Sequence, residues 1–558
     1  MNHVFSLVPK VEIPRSRFNR NHTYKCTLDA GKLVPFFWDD VIPGDSFNVN
    51  VSMFCRMATL ISPIMDDLWI DTHYFFVPYR LVWNNFQKFM GEQENPGDSI
   101  DYVIPQLFQS SNNSAKRDVQ VESLCDYMGL PLLSAKYGGV NGINVSALPF
   151  RAVALIWNEW FRDENLQDSI PINKTDSYGV FNSSVSDIVP GVNNFLYINN
   201  SGSCFPRSKR HDYFTSSLPW PLKDGTGVEV PLGGQAPIVG TSLNVPTFSG
   251  IGSTGSIFGA SVTAPTAGFT GKAASFEHDP VNFPDAKWEA GSALSSAGDP
   301  YADLNNVYAM TVNTLRTSFQ VQRFLERSAR SGSRYTEILR GMFGTISPDA
   351  RLQRPEYLGG SSHKLQVNVV PQTSASNDDT PQANLAAFVT GVKNRDGFTK
   401  SFVEHGVVIG FVSIRGPLLY QQGINRILSK KTRYDFYWPS FAHLGEQAVL
   451  NKEIYAQGTS ADEGVWGYQE RYAEYRYKPS MICGKFRSTY AQSLDSWHLG
   501  QKFDSLPTLS NQFIQENPPI SRVIAVPSEP QFLLDCHIGM DCARPMPLYG
   551  VPGLIDHF

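Results

Sequence analysis

The residues of this chain that could do chemistry are poorly spaced for it. A dinucleotide loop needs Gly-x-Gly-x-x-Gly between a strand and a helix, with an acid about 20 residues further on. The single copy here, Gly250-Ile251-Gly252-Ser253-Thr254-Gly255, follows Pro246 in low-complexity sequence with no helix after it, and reads as a flexible tip. Cys536, His537, Asp541 and Cys542 are metal-ligand types, but their spacing fits no zinc pattern, so a structural role is expected. Asp66-Asp67 and Asp378-Asp379 could be offered as glycosidase acids, which must oppose each other across a sugar. Sequence neighbours on a strand point to opposite faces, so these pairs read as solvated turn residues. The chain has no G-x-x-x-x-G-K-[ST], H-E-x-x-H, G-x-S-x-G or paired C-x-x-C. Catalytic residues, cofactors and metals are therefore not expected.

Cations remain. Arg15, Arg17 and Arg20, with Lys10 and Lys25, make the start of the chain basic, and Phe18 among them permits base stacking or simple packing. Arg316, Arg323, Arg327 and Arg330 are spaced 7, 4 and 3 apart, which sets them along one stripe of a helix. That stripe has three readings: a solvated face, salt bridges between subunits, or phosphate contacts. The whole chain carries 47 Lys+Arg against 52 Asp+Glu, a formal charge of −5, which argues against coating nucleic acid over its entire surface. Any nucleic-acid contact must be local.

The elements that would position these residues are mostly strands. With 558 residues, 42% hydrophobic and 18% charged, the chain can bury a large core, and a disordered class is excluded. No run approaches the ~18–20 apolar residues of a membrane span, and the start lacks a signal-peptide pattern, so a soluble, unsecreted chain without membrane insertion is expected. Seven scattered cysteines, an odd number, read as reduced thiols packed as small apolar residues. Alternation or β-branched and aromatic composition predicts strands over 47–60, 68–77, 364–370, 403–414, 471–478 and 521–526. Helices are predicted over 79–90, over 149–166 behind Pro149, and over 303–330, where Leu304, Tyr308, Val312, Leu315 and Phe319 form a stripe that Gly332 ends. The sum is mainly β and antiparallel, with crossovers long enough to suit a jelly-roll sandwich.

Between 176 and 300 the composition shifts. Residues 225–276 hold 11 glycines and two charges, Glu229 and Lys272, yet retain Phe248, Ile251, Ile257, Phe258 and Phe269. A free linker would expose those side chains at about 1.5–3 kcal/mol each, so an insertion buried against copies of itself is expected, and with it oligomerisation.

LVPFFWDDVIPGDSF (33–47), HYFFVPYRLVWNNFQKFMG (73–91), PFRAVALIWNEWFRDENL (149–166), RYTEILRGMFGTISPDARLQRPEYLGG (334–360), YAEYRYKPSMICGKFRS (472–488) and SLDSWHLGQKF (493–503) together resemble the major capsid protein of gokushoviruses. These are small icosahedral single-stranded DNA phages of the Microviridae. The resemblance spans nearly the whole chain outside 176–300, with one departure at Val153, where an aromatic residue is common. It implies an eight-stranded antiparallel viral jelly roll with long inserted loops and several helices. The implied division is an N-terminal extended arm (1–44), a first core part with helical insertions (45–175), an insertion forming a threefold protrusion (176–300), a second core part (301–542) and an extended C-terminal tail (543–558). It implies pentamers and a T=1 shell of about sixty copies around a circular single-stranded DNA genome. The implied partners are that genome, a small basic internal DNA-binding protein, a scaffolding protein, a DNA pilot protein and a host cell-surface receptor. The implied locations are the virion and, during assembly, the host cytoplasm.

Within this frame Arg15, Arg17, Arg20, Arg316, Arg323, Arg327 and Arg330 are the candidate DNA contacts. Phe248, Ile251, Ile257, Phe258 and Phe269 are the candidate host or threefold contacts. Pro545, Pro547 and Pro552 keep the tail from helix or central strand, so it is expected to cross a neighbouring subunit. Two competitors are a secreted carbohydrate-active sandwich enzyme, which needs a signal peptide and an acid pair, and an adhesin module working as a monomer or trimer. Particle size separates all three.

Overall fold

The computed structural model describes residues 13–107, 118–134, 136–138, 142–177, 204–223, 238–239, 301–302, 312–374 and 382–550. The chain divides into two compact units, 1–225 with 326–558, and 226–325. In chain order the strands are β1 (Ser16–Asn19), β2 (His22–Leu28), β3 (Val34–Val41), β4 (Ser46–Met57), β5 (Trp69–Pro78), β6 (Ile238–Val239) and β7 (Tyr301–Ala302). They continue as β8 (Glu356–Lys364), β9 (Gln366–Pro371), β10 (Leu385–Ser401), β11 (Gly406–Arg415), β12 (Glu446–Leu450), β13 (Val465–Glu470) and β14 (Phe532–Arg544).

The first unit is built on two antiparallel sheets. One runs β1-β14-β4-β10-β9, with β2 following β1 along β14; the other runs β3-β11-β5-β8. A small pair, β12-β13, stands apart. β4 shows why the sheets face each other. Its Phe47, Val49, Val51, Met53, Cys55 and Met57 alternate with Asn48, Asn50, Ser52, Phe54 and Arg56, and the first set is buried. These side chains meet Val408, Val412 and Ile414 of β11 and Ile70, Tyr74 and Phe76 of β5 in one core. β11 itself, GVVIGFVSIR, is an unbroken apolar run because both its faces are covered. Its Val407, Ile409 and Phe411 pack on the opposite side against a second core that holds Trp83, Trp157 and the helix Leu148–Ile156.

That helix starts with Pro149 in its first turn and is buried all round, so it is a core element and not an amphipathic surface one. Arg151, fully buried, donates to the carbonyls of Val82 (3.3 Å), Thr175 (3.0 Å) and Ser177 (2.7 Å) and so ties down the chain on either side of it. Burial lowers its pKa to about 10, which leaves it charged at neutral pH.

One polar clamp joins the sheets. Pairing of β10 with β4 slips between Lys393 and Asp396, so two β10 residues lie where β4 has one. This bulge turns Asp396 inward, where it accepts from Thr72 Oγ1 (2.5 Å) and Tyr74 Oη (3.1 Å) of β5 and from Ser361 Oγ (2.8 Å) of β8. Gly397 follows at φ +149°, and a Cβ there would stand 2.0 Å from the Val49 carbonyl oxygen, so only glycine fits.

Several expectations change. Residues 471–478 are not a strand: Tyr472 takes φ +63° and the chain turns through Ala473–Tyr475. Residues 521–526 are not a strand either; Ile520, Val523 and Ile524 are buried at helical spacing around the turn Ile520–Arg522. The helix over 79–90 is reduced to two short turns, Tyr79–Leu81 and Phe86–Phe89. Residues 204–223, counted with the insertion by composition, supply Cys204, Phe205, Tyr213 and Phe214 to the cores of the first unit.

In the second unit β6 pairs antiparallel with β7. The helix Val312–Ser331 begins there, and its residues from Glu326 on belong to the first unit. Phe248, Ile251, Ile257, Phe258, Phe269 and the Gly250–Gly255 motif lie outside the described residues.

Candidate assembly and nucleic-acid surfaces

The structure separates the residues that looked like ligands. Cys536 and Cys542 of β14 turn into the core and are fully buried, while the alternation of the strand sends His537 and Asp541 to the other face. Among the described residues no cluster of three His, Cys, Asp or Glu could hold a metal ion. All seven cysteines are free thiols, and Cys483 alone is exposed. Burial pushes the thiols of Cys26, Cys55 and Cys125 up to about 12. Asp66 accepts the Leu499 backbone N–H and Asp67 pairs with Lys364, so these carboxylates serve loop ends before β5. Asp378 and Asp379 lie outside the described residues.

The basic start of the chain folds onto its far end. β1 pairs with the last residues of β14, which brings Arg17 within 2.7 Å of Asp541 and lets Arg15 donate to Ser46 Oγ (2.8 Å) and the Ala543 carbonyl (3.3 Å). Arg20 pairs with Asp39. Arg17 keeps its side chain 73% exposed in spite of its partner. The arginine stripe divides. Arg330 pairs with Glu446 (2.5 Å) and Glu470 (3.8 Å), and Arg327 donates to the Gly341 carbonyl (3.0 Å). Arg316 and Arg323 make no ion pair with the described residues. On the same helix Val312, Phe319 and Phe324 are exposed, so the apolar stripe is not covered by the described residues of its own unit.

One patch on the otherwise polar outer face of the larger sheet is apolar. Phe54 stands opposite Val392 across β4-β10, and Leu533 of β14 and Phe388 of β10 flank them; all four are exposed. A hollow of about 690 Å³ beside Phe54 is lined by Lys25, Arg56, Asp126 and Asp535 as well. Contiguous exposed apolar surface of this kind marks a face meant for contact.

A further surface was missed as a site in the sequence. Residues 430–438, KKTRYDFYW, and 471–478, RYAEYRYK, interleave cations with aromatic rings, and the fold sets the two segments side by side. Lys430 Nζ lies 4.2 Å from the ring centre of Tyr475 and 4.9 Å from that of Phe436. Arg433 covers Tyr434 and Arg471 covers Tyr472, each at 4.8 Å. Tyr472 is buried beneath the surface rings and packs edge-on against Tyr437 at 5.1 Å. Above it Tyr434, Phe436, Tyr437, Trp438, Tyr475 and Tyr477 are between 42% and 55% exposed.

Residues 6–554 match the family model described as capsid protein (F protein). The chain belongs to that capsid protein family. It is 42% identical to capsid protein VP1 of Bdellovibrio phage phiMH2K, covering 100% of this chain and 98% of that one. It is 41% identical to capsid protein VP1 of Chlamydia phage 1, covering 99% and 98%, and 35% identical to capsid protein VP1 of Spiroplasma virus 4, covering 99% and 97%. As a member of the capsid protein family it is a structural protein of a bacteriophage of the Microviridae, not an enzyme, and it self-assembles into the shell of the virion. Among the described residues no helix is long and apolar enough to cross a membrane.

Proposed function

We propose that the chain is the major capsid subunit of a T=1 icosahedral shell of about sixty copies, assembled through pentamers around a circular single-stranded DNA genome. In this reading the two facing sheets, of six and four strands, are the jelly-roll core of the shell wall; β1, β2 and β3 build residues 16–41 of the segment 1–44 into those sheets and not into a free arm, 45–175 and 301–542 supply the rest of the wall, and the tail 543–558 acts as an arm between subunits. The insertion, 176–300 apart from the core segment 204–223, makes the threefold protrusion and attaches to a host receptor, with Phe248, Ile251, Ile257, Phe258 and Phe269 as contacts. Arg15, Arg17, Arg20, Arg316, Arg323, Arg327 and Arg330 serve DNA on the inner surface or ion pairs between subunits. A scaffolding protein, a small basic DNA-binding protein and a DNA pilot protein complete the particle, which assembles in the host cytoplasm.

What supports this reading is a capsid-family match over residues 6–554 joined to a sandwich that leaves Phe54, Val392, Phe388 and Leu533 on an open sheet face. Obligate assemblies bury about 2,000 Å² or more per contact, and such a face is the material for it. The test is sedimentation of the chain expressed alone and with the small reading frames next to its gene. Pentamers alone, or closed isometric particles on co-expression, support the proposal; a monomer under both conditions overturns it. Deleting 245–270 separates the attachment claim: shells should form and fail to adsorb to host cells, and normal adsorption contradicts it.

A further inference from the structure

We propose that the surface made by residues 430–438 and 471–478 is a stacking platform for single-stranded nucleic acid, a site distinct from the arginines of β1 and of the helix Val312–Ser331. The inference rests on the capsid reading only for naming that strand as the genome.

Two features carry it. The first is the state of the charges. Four cations of the patch, Lys430, Arg433, Arg471 and Lys478, have no carboxylate within ion-pair distance among the described residues. The acids nearby are occupied. Asp435 folds back onto the backbone N–H groups of Lys431 (2.9 Å) and Thr432 (2.7 Å). Glu470 takes Arg476 and Arg330, Glu463 takes Lys452 (2.8 Å) ahead of Lys431 (3.8 Å), and Glu474 accepts from Gln447 (2.7 Å) below the surface. In a chain with a formal charge of −5, this leaves a local positive field.

The second is the rings. Six aromatic side chains lie half-open, Tyr437 packed on the buried Tyr472, and a ring held by a neighbouring cation on one side offers its remaining surface to a base. Unpaired bases can use such rings; a duplex, whose bases are already stacked, cannot.

A second copy of the chain is the competing occupant. The cores of protein interfaces are enriched in aromatics and Arg but depleted in Lys, and this patch holds Lys430, Lys431 and Lys478. Pairing it with itself would bring like charges together. Nucleic acid satisfies rings and cations at once.

The test uses the purified full-length chain and a fluorescent oligothymidylate of about 20 nucleotides, with a duplex of the same length as control. Anisotropy should show tighter binding to the single strand. Phe436→Ala and Tyr437→Ala should each weaken it about 5- to 150-fold, with Phe436→Trp restoring it. Lys430→Gln with Lys478→Gln should flatten the dependence of log K on log salt by about 1.4, near 0.7 per cation. Unchanged melting temperature and unchanged particle formation in these variants show that folding and the capsid role persist. Equal affinity in wild type and ring variants overturns the proposal, as does a preference for the duplex. Variants that bind like wild type but no longer form particles assign the patch to contact between copies instead.

Discussion

Replacing Asp396 with Ala should loosen the joint between the two sheets more than any single apolar contact there. The carboxylate is 5% exposed and accepts three hydroxyl hydrogen bonds, from Thr72, Tyr74 and Ser361, with Lys393 Nζ 3.3 Å away. Bonds to a charged acceptor contribute about 1.5–3 kcal/mol each, but they are not additive. Removing the acid leaves the buried Thr72 and Tyr74 hydroxyls without their acceptor and the Lys393 ammonium, its side chain 12% exposed, without its partner. Loss of one member of such a buried pair costs about 3–5 kcal/mol, which is the expectation for Asp396→Ala. Asp396→Asn keeps the shape and one acceptor, so about 1.5–3 kcal/mol is expected. Ser361→Ala removes one donor at the edge and should cost about 1 kcal/mol. Urea unfolding of the unassembled chain, followed by tryptophan fluorescence, measures all three. An Asp396→Ala midpoint within about 0.5 kcal/mol of wild type would refute the clamp.

Arg151→Met should cost about 1–3 kcal/mol or more, since three carbonyls then lose their buried donor, and an unchanged thermal midpoint would contradict that. In native protein Cys483 alone should react quickly with a thiol reagent, and all seven cysteines should react in urea; rapid native labelling of Cys26, Cys55 or Cys125 would show that burial does not hold their thiols protonated. His73 is held to about 4 by burial and by Arg207, below its ordinary value of 6.5. The folded state therefore keeps it neutral, so its contribution to stability is complete above pH 6.5 and is lost as pH falls from there toward 4. In His73→Gln the fall of unfolding free energy over that window should be shallower by at most about 1.4 kcal/mol per pH unit, and parallel pH curves for the two proteins would contradict the assignment.

The strands that carry the core were legible where one face is wet or where both are dry. β4 alternates because Asn48, Asn50 and Arg56 meet solvent, and β11 does not because the helix Leu148–Ile156 covers its second face. β14 alternates just as clearly from Phe532 to Cys542, but its Cys, His and Asp residues are ligand types whose chemistry competes with the period as a signal. β10 was obscured by its own bulge, which breaks the alternation at Asp396. Residues 471–478 have strand composition, yet the left-handed Tyr472 turns the chain. The basic residues of the arm were visible, but not their partners: Arg17 meets Asp541 because β1 closes against β14, and Arg20 meets Asp39 because β3 of the facing sheet lies beside it. The aromatic and basic run at 430–438 was written in the sequence; what could not be read was that 471–478 lies beside it, with Tyr472 beneath Tyr437.

The central claim is that this chain, folded as described, is the repeating unit of a closed shell. Electron cryomicroscopy of particles made on co-expression tests it most directly. The account predicts an isometric particle with icosahedral symmetry in which every copy shows β4 flanked by β14 and β10, facing β11 flanked by β3 and β5. An open or disordered aggregate, or a particle whose wall is built from another chain, would contradict it.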